Sequence, residues 1–156
     1  VFFGLDGQDG FTPRDGGVWD PIDKRMEIWG SGDEEWNFTT EEDAGRWGVE
    51  VITADGAEEG GFVTVCSWTC SVKEIKAKYE AVKGKEVGWD SKGDLEQLRA
   101  IAQRESKLGL RRFWEWHRHV FMENCVSGRW NLKDIENERF PAVKATSMED
   151  FIRQRP

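Results

Sequence analysis

Positive charge is in short supply in this sequence: 22 Lys and Arg stand against 30 Asp and Glu, a formal net charge of −8. A nucleic-acid partner needs a basic footprint to displace counterions from the phosphate backbone, so no nucleic acid is expected. Long hydrophobic runs are missing too. No apolar stretch approaches the roughly 18 residues that a spanning helix requires, so the expectation is no membrane and a cytoplasmic setting. Cysteine is scarce and odd in number, with only Cys66, Cys70 and Cys125. Such a set builds no disulfide framework, and three free thiols in a reducing compartment are expected. Cys66 and Cys70 have no second Cys/His pair nearby. His117 and His119 stand i, i+2, which puts them on different faces of a helix, so no metal site is expected.

What is present describes a soluble globular chain, 38% hydrophobic and 33% charged, with 156 residues for one domain. The aromatic usage is unusual: nine Trp and nine Phe against one Tyr, Tyr79. Tryptophan brings a large apolar area and a single donor, which suits core, pocket lining or interface equally. The chain opens on Val1-Phe2-Phe3-Gly4 without a Met, from which a natural start further upstream is expected.

Local signals divide the chain into four stretches. Residues 1–24 form a loop-rich opening, because Gly, Asp and Pro crowd residues 4–21. Residues 25–59 read as a hairpin and a helix. Arg25–Trp29 and Glu35–Thr39 alternate around Gly30-Ser31-Gly32-Asp33, and Thr40 caps a helix to about Thr53 whose first turn is acidic. Ala44, Trp47, Gly48 and Val51 would form its inner face. Residues 60–109 read as a strand, Phe62–Cys66, and two helices. The first opens on the capping box Ser71-Val72-Lys73-Glu74 and stops at Gly84; the second is capped by Asp94. A short strand over Lys85–Trp89 lies between them. Residues 110–156 read as an aromatic helix, Leu110–Asn124, an irregular tail, and a last helix capped by Ser147.

In this order the stretch Phe38-Thr39-Thr40-Glu41-Glu42-Asp43-Ala44-Gly45-Arg46 is the most distinctive. Together with Ser71-Val72-Lys73-Glu74-Ile75, Lys83-Gly84-Lys85-Glu86-Val87 and the closing Trp130–Phe151 segment, it resembles NmrA-like and isoflavone-reductase-like proteins. These are atypical short-chain dehydrogenases, and the closing segment is similar to that of their fungal branch. The resemblance runs through nearly the whole chain but covers only the second half of a family member. It implies an α/β fold: the substrate-side portion of a Rossmann-type reductase, helices with a few short strands, the cofactor half absent.

The resemblance also implies NAD(P)H as cofactor of the complete protein, held on a Gly-rich turn between the first strand and its helix. That turn has no counterpart here, since Gly60-Gly61 precedes a strand instead of following one. The family's catalytic Lys belongs to the cofactor half and maps to no residue of this chain. No cofactor is therefore expected to be bound by these residues alone. The family's second half supplies the wall of the substrate pocket, which implies three groups here. They are Phe2, Phe3, Phe11 and Trp19; then Trp36 and Phe38; then Phe113, Trp116, His117 and Phe121. His117 is the polar group on the aromatic helix face and the weak candidate for a catalytic role. His119 would face solvent, and Asp43 with Arg46 would pair at i, i+3 to fix the start of their helix.

Two functions follow from the resemblance. One is the substrate-binding half of a reductase of small aromatic or secondary-metabolite substrates. The other is a non-redox member, either a dinucleotide-sensing regulator or a cofactor-independent isomerase or cyclase. Phe62–Cys66 would leave unpaired strand edges, to be completed by a missing Rossmann half or by a swapped copy of the chain.

Overall fold

In the computed structural model residues 18–20 and 23–155 are described, Trp114 and Glu115 by backbone alone. Alternation of side chains sets the strands. In β2 (Arg25–Trp29), Met26 and Ile28 are buried while their neighbours are less so. Strand β1 (Trp19–Asp20) joins β2 antiparallel with Trp19 opposite Met26, and β5 (Gly88–Gly93) joins it parallel with Met26 opposite Trp89. A second sheet pairs β3 (Glu35–Phe38) antiparallel with β4 (Trp68–Ser71), Trp36 opposite Cys70 and Phe38 opposite Trp68. The result is the expected mixed α/β chain of helices and a few short strands. Trp19, expected in a loop, stands in a strand.

The expected hairpin does not form: its two strands exist but belong to different sheets. The connection explains why. Gly30 and Gly32 take φ of 78° and 82°, a left-handed backbone that suits glycine. The Glu34 carboxylate accepts hydrogen bonds from the Ser31 and Gly32 amides, and a Cβ on Gly32 would lie 2.7 Å from the Trp89 ring. This side-chain-bonded turn carries the chain away from β2 instead of folding it back.

The helices start where their caps are written. In α1 (Glu41–Thr53) the Thr40 hydroxyl accepts from the Asp43 amide. Ser71 and Glu74 close a full capping box on α2 (Val72–Lys83), and Asp94 with Gln97 does the same for α3 (Leu95–Ser106). Ser147 caps α5 (Met148–Gln154). A 3-10 turn, Leu110–Arg112, leads into α4 (Phe113–Val126). Helix α2 packs on α5, and α3 on α4. Between helices and sheets lies one core that includes Trp19, Met26, Ile28, Trp36, Phe38 and Leu98.

Residues 62–66 join no sheet, contrary to the expected strand, and the next strand begins only at Trp68. Side chains take the place of a neighbouring strand. The Thr64 amide donates to Glu136 Oε2 at 3.0 Å and the Thr64 carbonyl accepts from the Glu136 amide at 2.7 Å. Cys66 exchanges the same pair of bonds with the Asn137 carboxamide, at 3.1 and 2.8 Å.

Asp43 joins three distant parts of the chain. It is fully buried, and its carboxylate accepts from the Ser67 hydroxyl at 2.5 Å and from the Thr146 amide and hydroxyl at 2.8 and 3.0 Å. Burial by itself would raise this carboxyl, but the hydrogen bonds from Ser67, Thr146 and Thr40 together hold it below its ordinary value of 3.8. The expected contact with Arg46 is present at 3.3 Å. On the inner face of α1, Trp47 is buried as expected and Val51 half-buried, whereas Ala44 and Gly48 are exposed and Asp43 takes the inner place.

Candidate functional site

The first turn of α4 gathers three of the residues expected at a ligand site. Gly109, at φ 75°, breaks from α3 and opens the 3-10 turn. Its carbonyl accepts the Trp116 indole N–H at 3.0 Å, which fixes the ring over the turn. Phe113 meets Trp116 edge-on at 5.1 Å and stacks on His117 at 5.0 Å with the planes 21° apart. The three rings form one step in which Phe113 is 37% exposed and Trp116 and His117 are half-buried. Such a step can stack a flat ring, and an imidazole beside it can orient a carbonyl or hydroxyl by hydrogen bonding.

Phe121, two turns further along, packs edge-on against Trp130 at 5.2 Å and leans on the core. Trp19, Trp36 and Phe38 are enclosed by the chain's own core at 1%, 3% and 2% exposure, so packing is the work observed for them. Trp19 lies against Tyr79 at 5.0 Å, and Trp36, Phe38, Trp68 and Phe151 continue as a ladder of ring contacts. Phe2, Phe3 and Phe11 lie outside the described residues.

His119 does not face solvent as expected. Its Nδ1 stands 2.6 Å from Glu105 Oε2, and its ring meets Trp29 edge-on at 6.3 Å, so it ties α4 to α3. Glu105 falls on the apolar register of α3, and an acid in that position was the available signal for a partner across the helix pair. Burial pushes the Cys70 thiol up to about 12, the nearby Glu74 charge adding to it, and burial does the same at Cys125. Both therefore stay protonated thiols at neutral pH and are poor nucleophiles.

The described residues do not fit a nicotinamide dinucleotide. The N-termini of α1, α2, α3 and α5 are closed by side-chain caps and carry acids in their first turns, which repel a pyrophosphate. Helix α4 opens from a 3-10 turn, not from a strand and glycine loop. Among the described residues no group of three or more His, Cys, Asp or Glu is placed to hold a metal ion, and no helix is long and apolar enough to cross a membrane.

The layout of the described residues, five helices with a few short strands, matches part of a Rossmann-type α/β fold. More particularly, it is similar to the crystal structure of isoflavone reductase: 97% of this chain aligns with 47% of that chain, at a TM-score of 0.61 and 17% sequence identity. The chain thus spans about half the length of that protein. No family model and no curated protein sequence matches the chain.

Proposed function

We propose that this chain is the substrate-side half of a reductase-like protein whose NAD(P)H is held by other polypeptide, and that it binds small flat aromatic molecules. The observation that carries this reading is the partly open step of Phe113, Trp116 and His117 on α4. The likeness to isoflavone reductase supports the same reading, since that protein is named for the reduction of a flat aromatic compound. In this scheme the rings supply stacking area and His117 sets the substrate's orientation through a hydrogen bond. Calorimetric titration of the chain with an isoflavone tests it. Saturable binding is expected, weakened about tenfold in His117→Gln at an unchanged melting temperature. No saturable binding by the wild-type chain, or an affinity indifferent to His117→Gln, overturns it.

A further inference from the structure

Residues 104–118 invert the charge of the chain around them. They hold five Lys or Arg, namely Arg104, Lys107, Arg111, Arg112 and Arg118, against two acids, Glu105 and Glu115, while the whole chain carries a net charge of −8. Glu105 is engaged within the fold, by His119 at 2.6 Å and by Arg104 at 3.6 Å. Lys107 and Arg111 are exposed, and among the described residues neither has an ion pair. Charges in water act over about 8 Å at physiological salt, so an anion arriving at this turn meets the local sign and not the net charge of the chain. These cations share a turn with the aromatic rings. The Gly109 carbonyl accepts both the Arg112 amide at 3.1 Å and the Trp116 indole N–H at 3.0 Å, which sets the Trp116 ring on the same 3-10 turn, Leu110–Arg112, that carries Arg111. Phe113 follows directly in the chain.

We infer that the ligand of the Phe113, Trp116 and His117 step is an aromatic anion, a flat ring bearing a sulfate or carboxylate that pairs with Arg111 and Lys107. This rests on the step being a ligand site, as proposed above, and adds the charge of what it binds. The rings supply stacking area, and a guanidinium meets two oxygens of a sulfate or carboxylate with parallel N–H donors. A basic turn with Leu110 84% exposed also suits an anionic membrane surface. Ring geometry favours the small ligand. The Trp116 indole is held by its hydrogen bond and Phe113 lies 21° from the plane of His117, which is an ordered flat face, whereas a lipid surface asks only for apolar bulk beside charge.

Calorimetry on the full chain compares one isoflavone with its sulfate ester at low and at high salt. The ester should bind about five- to tenfold tighter at low salt, a modest factor because exposed ion pairs are weak, and the factor should shrink at high salt. Arg111→Gln should lose most of this preference and Arg111→Glu reverse it, each at the wild-type melting temperature, whereas Arg111→Lys should keep part of it. The preference is a ratio measured within one protein, so a loss of folded material cannot imitate the result. Equal affinity for the two compounds, or a preference that salt and Arg111→Gln leave intact, overturns the inference and leaves the ring step standing. Failure of both compounds to bind removes the ring step and this inference together. Binding of the ester alone keeps the step and its charge but removes the unsubstituted isoflavone as a ligand. Binding to vesicles of anionic phospholipid that Arg111→Gln abolishes, with no preference for the ester, overturns the inference and assigns the turn to a membrane surface.

Discussion

Two sets of tryptophans in this chain do different work. Trp19, Trp36 and Trp47 are 1%, 3% and 1% exposed, and their indole N–H groups have no hydrogen-bond partner among the described residues. Trp130 is 52% exposed, and Trp116 is half-buried on α4 with its N–H bonded to the Gly109 carbonyl. An unpaired buried donor costs about 1–3 kcal/mol. The inner set bears that cost because each ring removes about 150–250 Å² of surface from water. Trp116 keeps its donor satisfied while half-buried, and Trp130 leaves about half of its surface open to solvent. Residue type alone does not separate the two.

The largest expected effect lies on the inner side. Trp47→Ala should cost about 3–5 kcal/mol, the range for emptying an enclosed aromatic site, read by urea denaturation. A loss below 1 kcal/mol would show that the inner set is not what holds the fold. Isoflavone affinity of the fraction that remains folded should not change.

Asp43→Asn should cost about 2–3 kcal/mol, because a charged acceptor of several hydrogen bonds becomes a neutral group with a donor facing donors. The pH dependence gives the sign. The Asp43 carboxyl is held below its ordinary 3.8 in the fold, so its contribution is full above that value. It is lost as pH falls through the folded value. Denaturation at pH 6 and pH 3 should therefore show a smaller difference between the two conditions for Asp43→Asn than for the wild type. Asp90, Glu136 and Glu149 are also held low, first by their bonds to Lys92, to Thr64 and to Lys78 respectively, and leave a residual acid sensitivity in both proteins. An equal pH difference in the two proteins would remove Asp43 from the account.

At the small end, NADPH titrated into the chain should give no saturable heat, because the capped, acidic helix starts reject a pyrophosphate. Micromolar binding would contradict the proposal that the cofactor is held by other polypeptide.

Local chemistry was legible in the sequence and long-range pairing was not. Thr40, Ser71, Asp94 and Ser147 mark helix starts because a cap is decided within three residues. The strands around Gly30 and Gly32 show in their alternation, but their partners depend on β1, β4 and β5, which alternation does not name. Asp43 reads correctly as a partner of Arg46 three residues on, whereas its bonds to Ser67 and Thr146 span 24 and 103 residues. The aromatic step on α4 was legible because Phe113, Trp116 and His117 follow helical spacing. Trp36 and Phe38 carry the same composition without the same exposure, since a strand face closed by a second layer is indistinguishable in sequence from an open one.

The contrast between inner and outer tryptophans is tested most directly by titrating Trp116→Ala and Trp36→Phe with the same isoflavone while recording both melting temperatures. Trp116→Ala is expected to lose about tenfold or more in affinity with a small fall in melting temperature, and Trp36→Phe to keep its affinity. If both variants bind like the wild type, or if Trp116→Ala changes the melting temperature alone, the rings on α4 are packing surface and the proposed ligand site does not exist.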